Sequence, residues 1–152
     1  MKQEPFVIER TFNASIEKVW EAITDKDQMK QWYFDIPNFR PEAGLEFQFE
    51  GGNEDRSYLH LCKVLEVIPH KKIKHNWRYD GYTGNSFVTW ELFEEGNRKT
   101  RVRLIHEGLE TFPPENPDFA KHNFVAGWTQ IVGTSLKEFI ENRLEQPPNT
   151  HH

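Results

Sequence analysis

His60 and Cys62 stand two residues apart and carry the side chains with the most reactive chemistry in the chain. On a β-strand that spacing puts both on one face, an imidazole and a thiol within reach of a soft metal ion. No third ligand stands nearby, and a partly buried His beside a buried thiol is the commoner arrangement, so no metal is expected. Cys62 as a nucleophile would need a base that lowers its pKa, and nothing in the sequence orients His60 for that task, so an inert core thiol is the expectation. His106 and Glu107 form a second pair, at the end of the last period-two stretch and just before a Pro-rich loop. Alternation turns His106 inward with Val102 and Leu104 and Glu107 outward. A His at a cavity mouth could shuttle a proton, with Tyr58 as the second polar group. The competing expectation, which is favoured, is that His106 ties down the loop, because strand ends need polar anchors.

The remaining chemistry is that of rings. Five Trp, four Tyr and twelve Phe concentrate the apolar content, only 36% of residues, in large flat side chains,. Trp32, Phe47, Trp77, Trp90 and Trp128 are each ordinary core residues taken singly, and only their convergence on one face makes a binding pocket. No GxSxG, P-loop, strand-borne GxGxxG or HExxH is present, so no cofactor is expected. A net charge of -5 with both signs interspersed argues against nucleic acid or an anionic membrane as partner,. The basic run from His70 to His75 reads as a solvated turn. One cysteine excludes an intrachain disulfide and suits a reducing, cytoplasmic setting; no signal peptide or run of 18 apolar residues is seen, so no membrane insertion is expected,.

What must position these residues is a long helix. From Asp118 to Leu144 the apolar residues Phe124, Val125, Trp128, Ile131, Val132, Leu136, Phe139 and Ile140 recur at spacings of three and four,. At about 1.5 Å per residue this helix would run roughly 40 Å, enough to need a broad sheet as its partner. Gly127 and Gly133 lie inside it, each costing about 1 kcal/mol against Ala; close backbone approach or space left for a ligand would account for them, and plain tolerance in a well-packed helix is an equal alternative.

Upstream, Phe6 to Phe12 alternates as a strand. Asn13 and Ser15 are both N-cap residues for a helix through Ile16, Val19, Trp20 and Ile23, and Asp25 with Gln28 resembles a capping box for a second short helix through Met29 and Trp32. A Pro-containing loop from Phe34 to Ala43 leads into period-two stretches: Leu45, Phe47, Phe49; then Ser57 to Ile68, with a bulge expected near Lys63; then Ile73 to Tyr79; Ser86 to Leu92; and Thr100 to His106. The turns between them, Gly51 to Asp55 among them, are those of hairpins, so the sheet should be antiparallel. Residues 1–145 read as one domain and 146–152 as a disordered tail.

The segments Arg10-Thr11-Phe12-Asn13-Ala14, Val19-Trp20-Glu21-Ala22, Met29-Lys30-Gln31-Trp32, Val64 to Pro69, Lys74-His75-Asn76-Trp77, His106-Glu107-Gly108 and Gly127-Trp128 stand in an order that resembles the bacterial single-domain relatives of the activator of the ninety-kilodalton heat-shock chaperone ATPase. That family lies in the START-like, or SRPBCC, superfamily, together with polyketide cyclases and the birch pollen allergen fold. The resemblance implies an α+β helix-grip fold, a curved antiparallel sheet wrapped around a long C-terminal helix, with an apolar cavity beneath that helix. It implies less about function, since the superfamily holds carriers, enzymes and chaperone partners.

The expectation is therefore a binding module for a small apolar or aromatic molecule, lined by Trp32, Phe47, Tyr58, Trp77, Val88, Trp90, Leu104, His106, Phe124, Trp128 and Ile131. A cyclase-like or hydrolase-like enzyme using His106 ranks second. Weak contact with a chaperone ranks third, because the separate chaperone-binding domain of the family's namesakes is not among these residues. Whether two copies form a homodimer is open.

Overall fold

The structure is a computed structural model and describes residues 4–52 and 56–145. The expected disordered tail and the tip of the first hairpin, residues 53–55, fall outside them. Six strands appear in chain order: β1 (Phe6–Phe12), β2 (Glu46–Gly52), β3 (Ser57–Ile68), β4 (Lys72–Tyr79), β5 (Ser86–Glu94) and β6 (Thr100–Glu107). They form one antiparallel sheet in the order β1-β6-β5-β4-β3-β2, with β1 closing back on β6 in the register Phe6 opposite His106 and Phe12 opposite Thr100. Alternation was a sound guide to faces: β6 is buried at Thr100, Val102, Leu104 and His106, and β4 at Ile73, His75, Trp77 and Tyr79. The bulge lies between Val64 and Glu66, just beyond the expected Lys63.

Two short helices, α1 (Ile16–Thr24) and α2 (Lys26–Trp32), follow β1. Ser15 caps α1, its Oγ accepting from the Lys18 amide at 3.3 Å,. Asn13 does not cap. Its backbone and side-chain N–H groups donate to Glu141 Oε2 at 3.2 and 3.4 Å and tie β1 to the last helix. The expected Asp25–Gln28 capping box does not form either: Asp25 makes no side-chain cap bond, and Gln28 Nε2 donates to Glu21 Oε1 at 2.8 Å. A partner one helix back outcompetes the local amide.

The long helix starts at Lys121, after a 3-10 turn at Pro117–Phe119, and not at Asp118. It comprises α3 (Lys121–Gln130), a π-helical stretch Ile131–Leu136, and α4 (Lys137–Glu145), with Ile131 and Lys137 both in right-handed helical conformation at the joints. Its fully packed residues are Phe124, Trp128, Val132, Leu136 and Ile140, four apart throughout, while Val125, Ile131 and Phe139 are half-buried. In an α-helix each four-residue step advances about 400°, so four such steps drift about 160° off one face. The π stretch bonds i to i+5 and winds fewer degrees per residue, taking back about 100° of that drift. This keeps Phe124 and Ile140 on the same sheet.

Candidate functional site

A cavity of about 310 Å³ lies between the concave face and α3. Its walls are rings: Phe34 from the loop after α2, Tyr58 and His60 from β3, Trp77 and Tyr79 from β4, Phe119 from the 3-10 turn, and Phe124 and Trp128 from α3. Gly51, Gly52, Asp118, Asn123, Gly127 and Ile131 complete the lining. Gly52, Asn123 and Gly127 are its exposed members and mark the mouth. A β-carbon built at Gly127 would meet nothing within 4 Å, so this glycine leaves space and makes no close backbone approach. At Gly133 a β-carbon would meet only the Arg10 side chain, at 3.6 Å, which is ordinary contact.

Of the residues expected to line a pocket, Tyr58, Trp77, Phe124, Trp128 and Ile131 come together here. Trp32, Phe47 and Trp90 do not. They surround a void of only about 20 Å³ with Ile23, Met29, Tyr33, Phe39, Ile73 and His75, because α2 fills that end of the concave face; Trp32 meets Trp90 edge-on at 6.1 Å and donates from Nε1 to the Ala22 carbonyl at 2.8 Å. Val88 and Leu104 are fully buried in the packed sheet face beneath. Period-two patterning marks a face, whereas which part of the face stays open depends on where α2 lands.

His106 points inward, as alternation required, but behind the wall and not into the cavity. Trp128 Nε1–H donates to His106 Nδ1 at 2.9 Å, and His106 Nε2 lies 2.8 Å from Ser86 Oγ. Ser86 gives its own proton to the Trp77 carbonyl at 2.8 Å. An indole can only donate, so Nδ1 carries the lone pair; the neutral ring then bears its proton on Nε2 and donates to Ser86. The result is one directed chain from helix to β6, β5 and β4. The expectation that His106 anchors the loop is thus corrected: its partners are a helix residue and a neighbouring strand, and it fixes the helix to the sheet. Burial pushes its pKa down to about 3, with His75 a smaller contributor. Tyr58, the expected second group, is not bonded to His106. Its hydroxyl donates to Asp118 Oδ2 at 2.5 Å, where Arg56 Nε also donates at 2.9 Å, and accepts from Asn116 Nδ2 at 3.4 Å. Both His106 nitrogens are occupied within this chain, so His106 itself is not turned toward a substrate.

His60 and Cys62 do share the buried face of β3. His60 Nδ1–H donates to the Tyr58 carbonyl at 3.0 Å, its ring stacks on Phe49 at 4.4 Å, and burial lowers its pKa to about 4. Burial also pushes the Cys62 thiol up, away from thiolate, with Arg78 opposing weakly. Among the described residues no three His, Cys, Asp or Glu cluster as metal ligands. Cys62 is therefore expected to resist a thiol-specific aromatic disulfide reagent in the folded chain and to react on unfolding; rapid labelling without denaturant would contradict its burial.

Sequence reasoning missed Asp118 and Phe119, which fall in a 3-10 turn ahead of the first apolar position of the helical repeat, Asn123, a polar residue of α3 beside Phe124, and Phe34, from a loop. Tyr79 was legible through its alternation with Trp77, and Gly127 through its cost inside a helix.

This architecture, an antiparallel sheet gripping a long C-terminal helix with two short helices after the first strand, is the START-like helix grip. Residues 13–141 match the family model described as Activator of Hsp90 ATPase homolog 1-like protein, and the chain belongs to that family. Solved structures agree on the fold. DynU16, from the dynemicin biosynthetic locus, superposes with a TM-score of 0.75 at 21% identity over 93% of this chain; this chain spans 48% of DynU16's length. MLL2253 from Mesorhizobium loti gives 0.69 at 24% identity, covering 91% of this chain and 98% of that one. A START superfamily protein from Mycobacterium smegmatis gives 0.71 at 11% identity over 93% and 99%. None of the curated proteins matches. Among the described residues no helix is long and apolar enough to cross a membrane.

Proposed function

We propose that this chain binds a small apolar, ring-bearing molecule in the cavity between sheet and helix. The observation that carries the reading is the ring-lined space itself, about 310 Å³, at the lower end of the range for ligand pockets,. Apolar surface returns about 25 cal/mol per Å² on burial, enough for micromolar binding after association costs. Membership of a START-like family supports it. Contact with a chaperone has only the family's description behind it and ranks below. The fluorescence of Trp77 and Trp128, both on the wall, reports occupancy. Titration with a panel of flavonoids, sterols and fatty acids should give saturable quenching with at least one, and Gly127→Leu should abolish that quenching with the fold intact, because the new side chain enters the mouth. Quenching unchanged by Gly127→Leu would place the ligand elsewhere, and none with any compound would remove the reading.

A further inference from the structure

All but one of the side-chain donors on the cavity wall are spent within the chain. Trp128 Nε1–H goes to His106, His60 Nδ1–H to the Tyr58 carbonyl and the Tyr58 hydroxyl to Asp118, while Asn123 Nδ2 serves the carbonyls of Pro117 and Asp118 at 2.8 and 3.4 Å. Trp77 Nε1–H donates to Tyr79 Oη at 2.9 Å. That bond uses a lone pair of the phenol oxygen, and among the described residues no group accepts the Tyr79 proton,. Burial raises the Tyr79 pKa, with the Trp77 bond opposing less strongly, so the hydroxyl keeps its proton at neutral pH. A second buried phenol, Tyr33 Oη, has no partner among the described residues either, but it borders the separate void of about 20 Å³, which has no room for a ligand. Tyr79 is only 5% exposed, whereas Gly52, Asn123 and Gly127 mark the mouth, so its proton meets the end of a ligand that enters first. A hydrocarbon in that position excludes water and strands the donor, whereas an acceptor on the ligand satisfies it. Size narrows the choice further: an apolar cavity of about 150 Å³ takes benzene, so about twice that volume takes two fused rings.

Building on the binding reading above, we infer that the site selects a fused two-ring aromatic bearing a carbonyl group, an aryl ketone in its simplest form, whose oxygen accepts from the Tyr79 hydroxyl at the closed end of the cavity. The hydrogen bonds then run in one direction, from indole to phenol to ligand, and each polarises the next.

Equilibrium dialysis of the intact chain with β-acetylnaphthalene and β-isopropenylnaphthalene, which has a methylene group in place of the oxygen, separates acceptor from shape. The ketone-to-alkene affinity ratio should be roughly tenfold higher in the intact chain than in Trp77→Phe/Tyr79→Phe, a comparison that cancels the ketone's own desolvation. The double variant is needed because Tyr79→Phe alone frees the Trp77 indole to serve as donor in its place. Trp77→Phe, which shifts both affinities together, should retain the ratio. The infrared carbonyl stretch of the ketone bound to the intact chain should lie below its position in hexane, a readout independent of how the variants fold. A ratio unchanged in the double variant, or a carbonyl band at its hexane position, overturns the inference while leaving the cavity occupied. Loss of the ratio in Trp77→Phe alone overturns it in favour of the indole as donor. If neither probe binds while the panel above still quenches, the inference alone falls; with no quenching either, the reading beneath it falls too.

Discussion

Trp128→Ala is expected to lower the free energy of unfolding by about 3–5 kcal/mol and to weaken ligand binding as well. Trp128 is only 2% exposed, and its ring packs against Tyr33, Trp77, Trp90 and His106 at centroid distances of 5.5 to 6.4 Å. Truncation removes these contacts, merges the vacated volume with the existing cavity, and strips His106 Nδ1 of its donor. Leu136→Ala isolates the packing contribution. It is fully buried on the same helix, away from the cavity, and should cost about 2–5 kcal/mol with probe affinity unchanged,. Trp128→Phe isolates the hydrogen bond. It keeps a ring but orphans a buried acceptor, at about 1–3 kcal/mol. Denaturant midpoints and probe titrations on the three variants make the comparison. If Trp128→Ala left both unchanged, the face of α3 assigned to the sheet would be wrong.

The second large effect is acid sensitivity that begins before carboxylates titrate. His60, His75 and His106 are all buried and neutral, with burial the leading cause of pKa values near 4, 4 and 3. His75, its Nδ1–H on the Asn76 carbonyl at 2.8 Å, sits against Phe47 and Trp77. In the unfolded chain each would titrate near the ordinary value of about 6.5. The folded pKa values are depressed, so below about 6.5 the unfolded state binds protons that the folded state refuses. Their stabilising contribution is complete above that pH and is lost as pH falls towards 4. With up to three protons taken up on unfolding, the slope should approach about 4 kcal/mol per pH unit. A domain of ordinary stability, about 5–15 kcal/mol, is largely spent by the acid end of that window. Urea midpoints measured from pH 7 down to pH 4 test this. A profile flat to about 4.5, where Asp and Glu begin to protonate, would show that the three rings are not held neutral.

How far the sequence foretold the site can be judged residue by residue. The strands and their inward faces were legible because a half-buried sheet imposes a strict period of two, and Trp77, Tyr79 and His106 all face as that period required. Helix caps were less legible. Asn13 and Asp25 have the right side chains, but Glu141, 128 residues away, claims Asn13, and no local pattern encodes so distant a partner. The pocket was half legible for the same reason. Phe47 and Trp90 share a face with Trp77, yet α2, which carries Trp32, covers them, while part of the open cavity's wall comes from the 3-10 turn that supplies Asp118 and Phe119. His106 was found as a residue and misread as a partner, since the indole that claims its Nδ1 lies on another element.

The π stretch Ile131–Leu136 makes the last helix sensitive to residue count. Replacing Gly133 adds a methyl or more beside Arg10 and leaves the winding intact. Deleting it would let the segment relax to α geometry, and the about 100° of turn lost with the residue offsets the about 100° that the π winding takes back, so the two halves of the helix keep their orientation. An inserted residue or a second deletion has no such compensation: with Leu136 and Ile140 still seated on the sheet, it would turn Trp128 and Phe124 off the concave face together, and the cavity would lose its roof without any side chain there having changed. The helix is thus keyed like a two-part screw whose thread is set by chain length: one residue lost between 131 and 136 is absorbed by unwinding the π stretch, whereas one gained there is more damaging than a substitution at the same positions.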